Sequence, residues 1–259
     1  MPHVLGAGAG AAIGVVAGPD SAIAGAAAGL VIARAVRSAF SALVNQFSDR
    51  QGERARDAFE VAMAGIEKRL KQGEEPRDGL FTPRPGGWSD AAGLLERTLR
   101  GAAEDAQERK VKLLGKLWEN IVFDAAVSTD EGHYLLGVAE RLTYRQCVML
   151  ELFGSNALGQ ERAAELDAKY GEGELGRSIL AVAEMDELGA LGLLGVGQND
   201  GTVVHPQATV GQGTFRTIAL ANARPMPPGD ALRRLLGLAD LDRLELDNVT
   251  RELRQRVRG

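Results

Sequence analysis

Hydrophobic and polar positions change their period several times along this chain, and the first stretch has no polar face at all. From Val4 to Ala33 the run VLGAGAGAAIGVVAGPDSAIAGAAAGLVIA carries Asp20 as its single charge, with glycines at Gly6, Gly10, Gly14 and Gly18, then at Gly25 and Gly29. A four-residue glycine period lines one helix face and opens a groove into which another helix can bring its backbone close. Each interior glycine costs a helix about 1 kcal/mol relative to alanine, so such a helix persists only where close packing offsets the loss. The pattern predicts a glycine zipper. Pro19 divides it, and Asp20 is a good N-cap for a second helix predicted from Ser21 through Phe47. Val4–Gly18 is 15 residues, or roughly 22 Å of helix, too short to cross a hydrocarbon core of ~30 Å unaided. A short hairpin inserted in a membrane and a kinked rod spanning it once both fit, and so does an Ala/Gly helix pair buried in a soluble oligomer. Arg34 and Arg37 follow the zipper as the first cations of the chain and would mark the water boundary of a membrane arrangement.

Beyond the zipper the period becomes that of soluble amphipathic helices. Gly52 to Leu70 places Ala55, Phe59, Ala62, Met63, Ile66 and Leu70 on one stripe. Glu74 to Gly87, with three prolines, reads as a linker or a long exposed loop. Ser89-Asp90 caps a predicted helix running to about Val127, polar in its middle from Arg100 to Lys110, where a bend or an assembly contact is expected. Its cations Arg109, Lys110, Lys112 and Lys116 stand beside Glu104, Asp105 and Glu108, a spacing that reads as surface ion pairs. A short helix follows over Asp130–Glu140, and Thr143 with Gln146 forms a capping box opening TYRQCVMLELFG.

From Thr143 onward the order is helix to Phe153, helix Glu161–Tyr170, helix Leu175–Leu191, then strand candidates Leu193–Val196, Thr202–His205 and Thr214–Leu220, a winged-helix-like pattern. PMPP at Pro225–Pro228 interrupts the chain before a leucine-rich tail (Leu232, Leu235, Leu236, Leu238, Leu241, Leu244, Leu246, Val249, Leu253, Val257) that needs a partner surface and ends in an arginine cluster. The fold class is therefore mainly α: N-terminal glycine-zipper helices, a helical body, a small winged-helix-like α+β module and C-terminal helices. The expected divisions are 1–50, 51–142 with a linker over 73–88, 143–222 and 223–259.

Charge and chemistry narrow the function classes. A formal net charge of −5 gives no general attraction to nucleic acid, and between Thr143 and Leu220 five cations face ten anions. Phosphate neutralisation supplies the affinity of DNA readers, so a winged-helix regulator ranks third and protein contact is the expected use of the module. Gly6, Gly8 and Ala11 match G-x-G-x-x-G/A spacing, but no alternating strand–helix pattern continues behind them, so dinucleotide binding is not expected. His3, His133 and His205 sit in different segments, and Cys147, the single cysteine, lies on an apolar helical face and reads as core. No catalytic residue, metal site or cofactor is assigned, and a non-enzyme is expected. The start lacks the cationic flank of a secretory leader, and the expected place is the cytoplasm with the ability to associate with the inner membrane.

The run LLGKLWENIVFDAAVS…YLLGVAERLTYRQCVMLELFG (Leu113 to Gly154), with DELGALGLLG (Asp186 to Gly195), resembles the core of bacterial abortive-infection alpha-type proteins. The two stretches make up about a fifth of the chain; the resemblance excludes the zipper and carries no site residue, and it implies a role in phage defence. The leading expectation is an oligomeric membrane-acting effector, pore-forming or membrane-disrupting, with itself, a bilayer and a protein partner at the winged-helix-like module as partners. The alternative is a soluble homo-oligomeric scaffold or adaptor with the zipper in its core.

Overall fold

A 3.6-residue apolar stripe can be buried only against another such stripe, and in the computed structural model the stripes of the body meet one another. The structure describes residues 36, 40, 43–82, 84–85, 89–155, 179–197, 203–204 and 223–255. Over these the protein is mainly α-helical with one small antiparallel sheet, and the chain divides into two compact units, Met1–Arg141 and Leu142–Gly259.

In the first unit, α1 (Asp49–Lys71), α2 (Asp90–Glu104) and α3 (Glu108–Phe123) pack mutually, and α4 (Thr129–Arg141) closes on α2 and α3. Ala58, Ala62 and Ile66 of α1, Leu94, Leu95 and Leu99 of α2, and Leu114, Leu117, Trp118 and Ile121 of α3 are all buried. Alanines on α1 and glycine on α3 bring these two helices close together. A Cβ on Gly115 would fall on the carbonyl oxygen of Ala58 and within 3.0 Å of its carbonyl carbon. Ser89 caps α2, its hydroxyl accepting from the Ala92 amide at 3.2 Å. Arg97 of α2 forks onto Glu140 of α4 with bonds of 3.1 and 3.2 Å.

The helix expected to run from Ser89 to about Val127 is two helices. Asp105 leaves the helical backbone, its carboxylate accepts the Gln107 amide at 2.8 Å, and α3 then starts afresh. The break also corrects the surface reading for one member of the basic quartet: Arg109 and Lys112 are exposed as expected, but Lys110 is buried, 2.6 Å from Asp105, and donates to the Glu140 carbonyl at 2.8 Å. Turning the chain at Asp105 lays that carboxylate over the new first turn, which is why Lys110 finds its anion inside. The proline-containing segment after α1 is held to the body where it is described. The Arg77 amide donates to Val122 O at 2.8 Å, Leu80 is buried, and its carbonyl accepts the Ala91 amide at 2.9 Å.

The second unit contains α5 (Tyr144–Gly154), α6 (Ile179–Ala190), β1 (Leu194–Gly197), β2 (Val203–Val204), β3 (Ala223–Pro225), α7 (Pro227–Leu235), a 3-10 turn (Leu238–Asp240) and α8 (Arg243–Gln255). The sheet order is β2-β1-β3, all antiparallel, with Val196 opposite Val204 and Leu194 opposite Pro225. Gly192, at φ 69°, turns the chain from α6 into β1, while the Leu193 amide bonds back to Leu188 O. The hairpin expected at Leu193–Val196 and Thr202–His205 is present. Strand β3 falls at the start of the proline run, where only an interruption was expected, because Pro225 sits at its end and Pro227 opens α7, positions where a missing N–H costs little. The expected helix Glu161–Tyr170 and strand Thr214–Leu220 lie outside the described residues. The early tail leucines, Leu232, Leu235, Leu236 and Leu238, are buried within this unit; farther on, Leu244 of α8 is exposed.

Candidate functional site

Every residue assigned from sequence to the assembly or membrane interface, Gly6, Gly10, Gly14, Gly18, Gly25 and Gly29, and the boundary cations Arg34 and Arg37, lies outside the described residues. What the structure does describe is how the chain just after them joins the body. Val36, Phe40, Leu43 and Val44 are helical. The helix stops in a short turn, where Gln46 N donates to Leu43 O at 3.0 Å and Phe47 N to Val44 O at 3.2 Å. Ser48 then begins α1 through a capping box with Gln51, whose side-chain oxygen accepts the Ser48 amide at 3.2 Å.

The result is an αα-hairpin. Phe40 stacks on Phe59 of α1 with centroids 4.0 Å apart and planes 10° from parallel, and Val44 lies beside Gly52, where a Cβ would sit 3.6 Å from its Cγ2. Higher numbers on one helix thus meet lower numbers on the other, as in antiparallel helices. Val36 is 2% and Leu43 9% exposed, so the face carrying Val36, Phe40 and Leu43, spaced i, i+4 and i+7, is covered by protein. The sequence pattern alone assigns no site residue to this stretch. The signal was present, since these are the bulky apolar residues of that spacing after the glycines end.

The second unit holds a polar hub at the start of α5. Thr143 accepts the Gln146 amide at 3.1 Å while Gln146 returns its side-chain oxygen to the Thr143 amide at 2.7 Å, the expected capping box. From this turn Tyr144 donates to Glu245 of α8, Arg145 pairs with Glu184 of α6 at 2.8 Å, and the Gln146 side-chain Nε2 donates to Glu187 at 2.7 Å. The acid-rich end of the helix that a DNA reader would present to phosphate thus places two of its carboxylates on α5. Between them Asp186 has its carboxyl pushed above the usual range by partial desolvation. Farther along α5, Arg233 of α7 reaches Glu151 at 3.2 Å.

Cys147, the single cysteine of the chain, is buried, as a core residue. Among the described residues no group of three or more His, Cys, Asp or Glu side chains is arranged to hold a metal ion, and no helix is long and apolar enough to cross a membrane. Compared with protein-family models, curated proteins and solved structures, the chain matches none.

Proposed function

We propose that the protein is an oligomeric membrane-acting effector, in which zipper helices from several copies pack together in a bilayer and the two-unit helical body assembles them or receives a signal. The observation that carries the reading is the glycine period from Gly6 to Gly29 in a run whose only charge is Asp20, followed by Arg34 and Arg37 and then by a folded body. Apolar helices of small residues gain association energy in lipid from close backbone contact, and the same surface left in water would aggregate. The proposed setting is bacterial antiphage defence, where permeabilising the host membrane is an output that needs no catalytic group. Flotation with phosphatidylethanolamine/phosphatidylglycerol vesicles and release of an entrapped dye test it, with Gly10→Leu and Gly14→Leu filling the groove. The expected result is release by wild type and its loss in both variants; wild type that neither floats nor leaks removes the membrane role.

One observation favours a second reading, a soluble homo-oligomeric scaffold. The helix leading out of the zipper puts Val36, Phe40 and Leu43 against protein, so small-residue helices upstream can be covered in the same way. Large monodisperse particles in detergent-free buffer, by size exclusion with light scattering, would favour it.

A further inference from the structure

Of residues 243–250 in α8, none is fully buried. Glu245, Leu246, Val249 and Thr250 are half-buried, whereas Arg243, Leu244, Asp247 and Asn248 are exposed, Leu244 at 66%. Helix α8 packs on α5, and Tyr144 of α5 donates to Glu245, which marks the half-buried side as the inner one. Helical spacing then sorts the charges by side. Arg251 follows Leu244 by seven residues and Arg254 follows Arg243 by eleven, so all four fall within an arc of about 100° on the outer side. Glu252, seven residues after Glu245, falls on the inner side instead. Asp247 is the one acid in the outer row. Asp242, just before α8, is taken up at the helix start, where its carboxylate accepts the Leu244 amide at 3.0 Å.

We propose that this outer row is a docking surface for an anionic bilayer, on which α8 lies flat with its arginines on headgroup phosphates and Leu244 at the acyl boundary. The proposal goes beyond the zipper reading, because every residue in it belongs to α8 and none to the N-terminal run. Three arginines against one aspartate attract an anionic partner, and in a chain of net charge −5 that attraction acts only over the Debye length of the local patch. Leu244 chooses between anionic partners. A nucleic-acid duplex offers phosphates but no apolar layer to take an exposed leucine, whereas the interface of a bilayer offers both. Each arginine held close to an anionic leaflet strengthens binding about fivefold.

The test floats the full chain with phosphatidylcholine vesicles, with and without phosphatidylglycerol, at low and high salt, and reads dye release alongside. Wild type is expected to bind where phosphatidylglycerol is present and to lose affinity as salt rises. Arg243→Gln, Arg251→Gln and Arg254→Gln together should weaken that binding about a hundredfold, and Leu244→Ser about tenfold. Asp247→Asn should tighten it about fivefold, a gain that misfolding cannot produce. Gly10→Leu with Gly14→Leu should leave it in place. A triple arginine variant that binds and leaks like wild type overturns the α8 surface and leaves the zipper reading standing. Binding that the triple variant loses, with no dye release from any protein, supports the α8 surface and retires the permeabilising role. Equal binding to both kinds of vesicle, or loss of binding in the glycine variants, overturns docking by charge on α8. Tighter binding to duplex DNA than to the anionic vesicles, lost in the triple variant, overturns lipid as the partner. Wild type that binds neither kind of vesicle removes both readings.

Discussion

Gly115→Ala is the most demanding single change to the first unit. On an exposed helix it would stabilise by about 1 kcal/mol through propensity. Here the new methyl would fall on the Ala58 carbonyl oxygen, 3.0 Å from its carbonyl carbon and 3.1 Å from its Cα, and backbone cannot rotate away as a side-chain tip can. The helices α1 and α3 must therefore part by roughly 1 Å, and a gap of that size forfeits a quarter to a half of each contact well across the seam. The two helices carry fully buried Leu114, Trp118 and Ile66, whose packing such a shift would disturb. Overpacking ordinarily costs about 1–3 kcal/mol, and with rigid backbone on one side the expected net loss is about 3 kcal/mol, or on the order of 15 °C in Tm for a unit of this size. Trp118 is fully buried, so its fluorescence in a Trp88→Phe background reports this unit during urea or thermal unfolding. Gly93→Ala is the control, because its Cβ would meet nothing nearer than His133 Nε2 at 4.0 Å, and it should be neutral or stabilising by up to ~1 kcal/mol. If Gly115→Ala unfolds within about 0.5 kcal/mol of wild type, the close crossing does not fix the helix pair, and the reasoning from backbone contact is refuted.

Lys110→Met should destabilise the first unit by about 3 kcal/mol because Asp105 is left charged and enclosed, and a double-mutant cycle in urea with Asp105→Asn should recover part of that loss. Thr143→Ala should cost about 1 kcal/mol by removing a cap, seen as an earlier urea midpoint with an unchanged slope. Hydrogen bonds from the Ser128 backbone and hydroxyl hold the Glu131 carboxyl below its usual value of 4.5, against slight desolvation. A carboxyl depressed in the folded state adds stability above its unfolded pKa and loses it as pH falls through the folded one. Glu131→Gln should therefore flatten the stability curve from about pH 4.5 downward, as checked by urea midpoints against pH. Asp186 is shifted the other way by partial desolvation; its contribution is largest in acid and declines as pH rises through the unfolded and then the folded pKa, so Asp186→Asn should remove a decline rather than a gain.

What could be read from the chain alone follows from where periodicity is strong. The stripe Ala55–Phe59–Ala62–Met63–Ile66 and the Thr143–Gln146 capping box are local patterns, and both stand as expected in α1 and α5. The hairpin at β1 and β2 was legible for the same reason, since Asn199-Asp200-Gly201 separates two apolar runs. The polar middle from Arg100 to Lys110 marked where a bend could fall, but periodicity did not show that one helix ends at Asp105 and another starts at Glu108, because alanines and alternating charges look equally helical on either side. Nor could it see Lys110 inside, which depends on that turn bringing a carboxylate to it. Strand β3 was missed because prolines argue against a strand except at its ends, which is where Pro225 sits. At the candidate site, the zipper glycines were chosen for period alone, whereas the Phe40–Phe59 contact joins residues in separate helices and shows only once the hairpin is folded.

Glu119 of α3 is almost wholly enclosed, with Lys116 at 3.1 Å, and its carboxylate lies over Gly65 of α1 in the space a Cβ would fill. The two positions thus share one fixed volume, divided as nothing on one side and a long acid on the other. Any descendant that acquires even a methyl at position 65 must shorten or redirect position 119, so the two sites should change together over evolutionary time, with the order set by the acid: trimming it first leaves a tolerable void, while enlarging the glycine first leaves a clash.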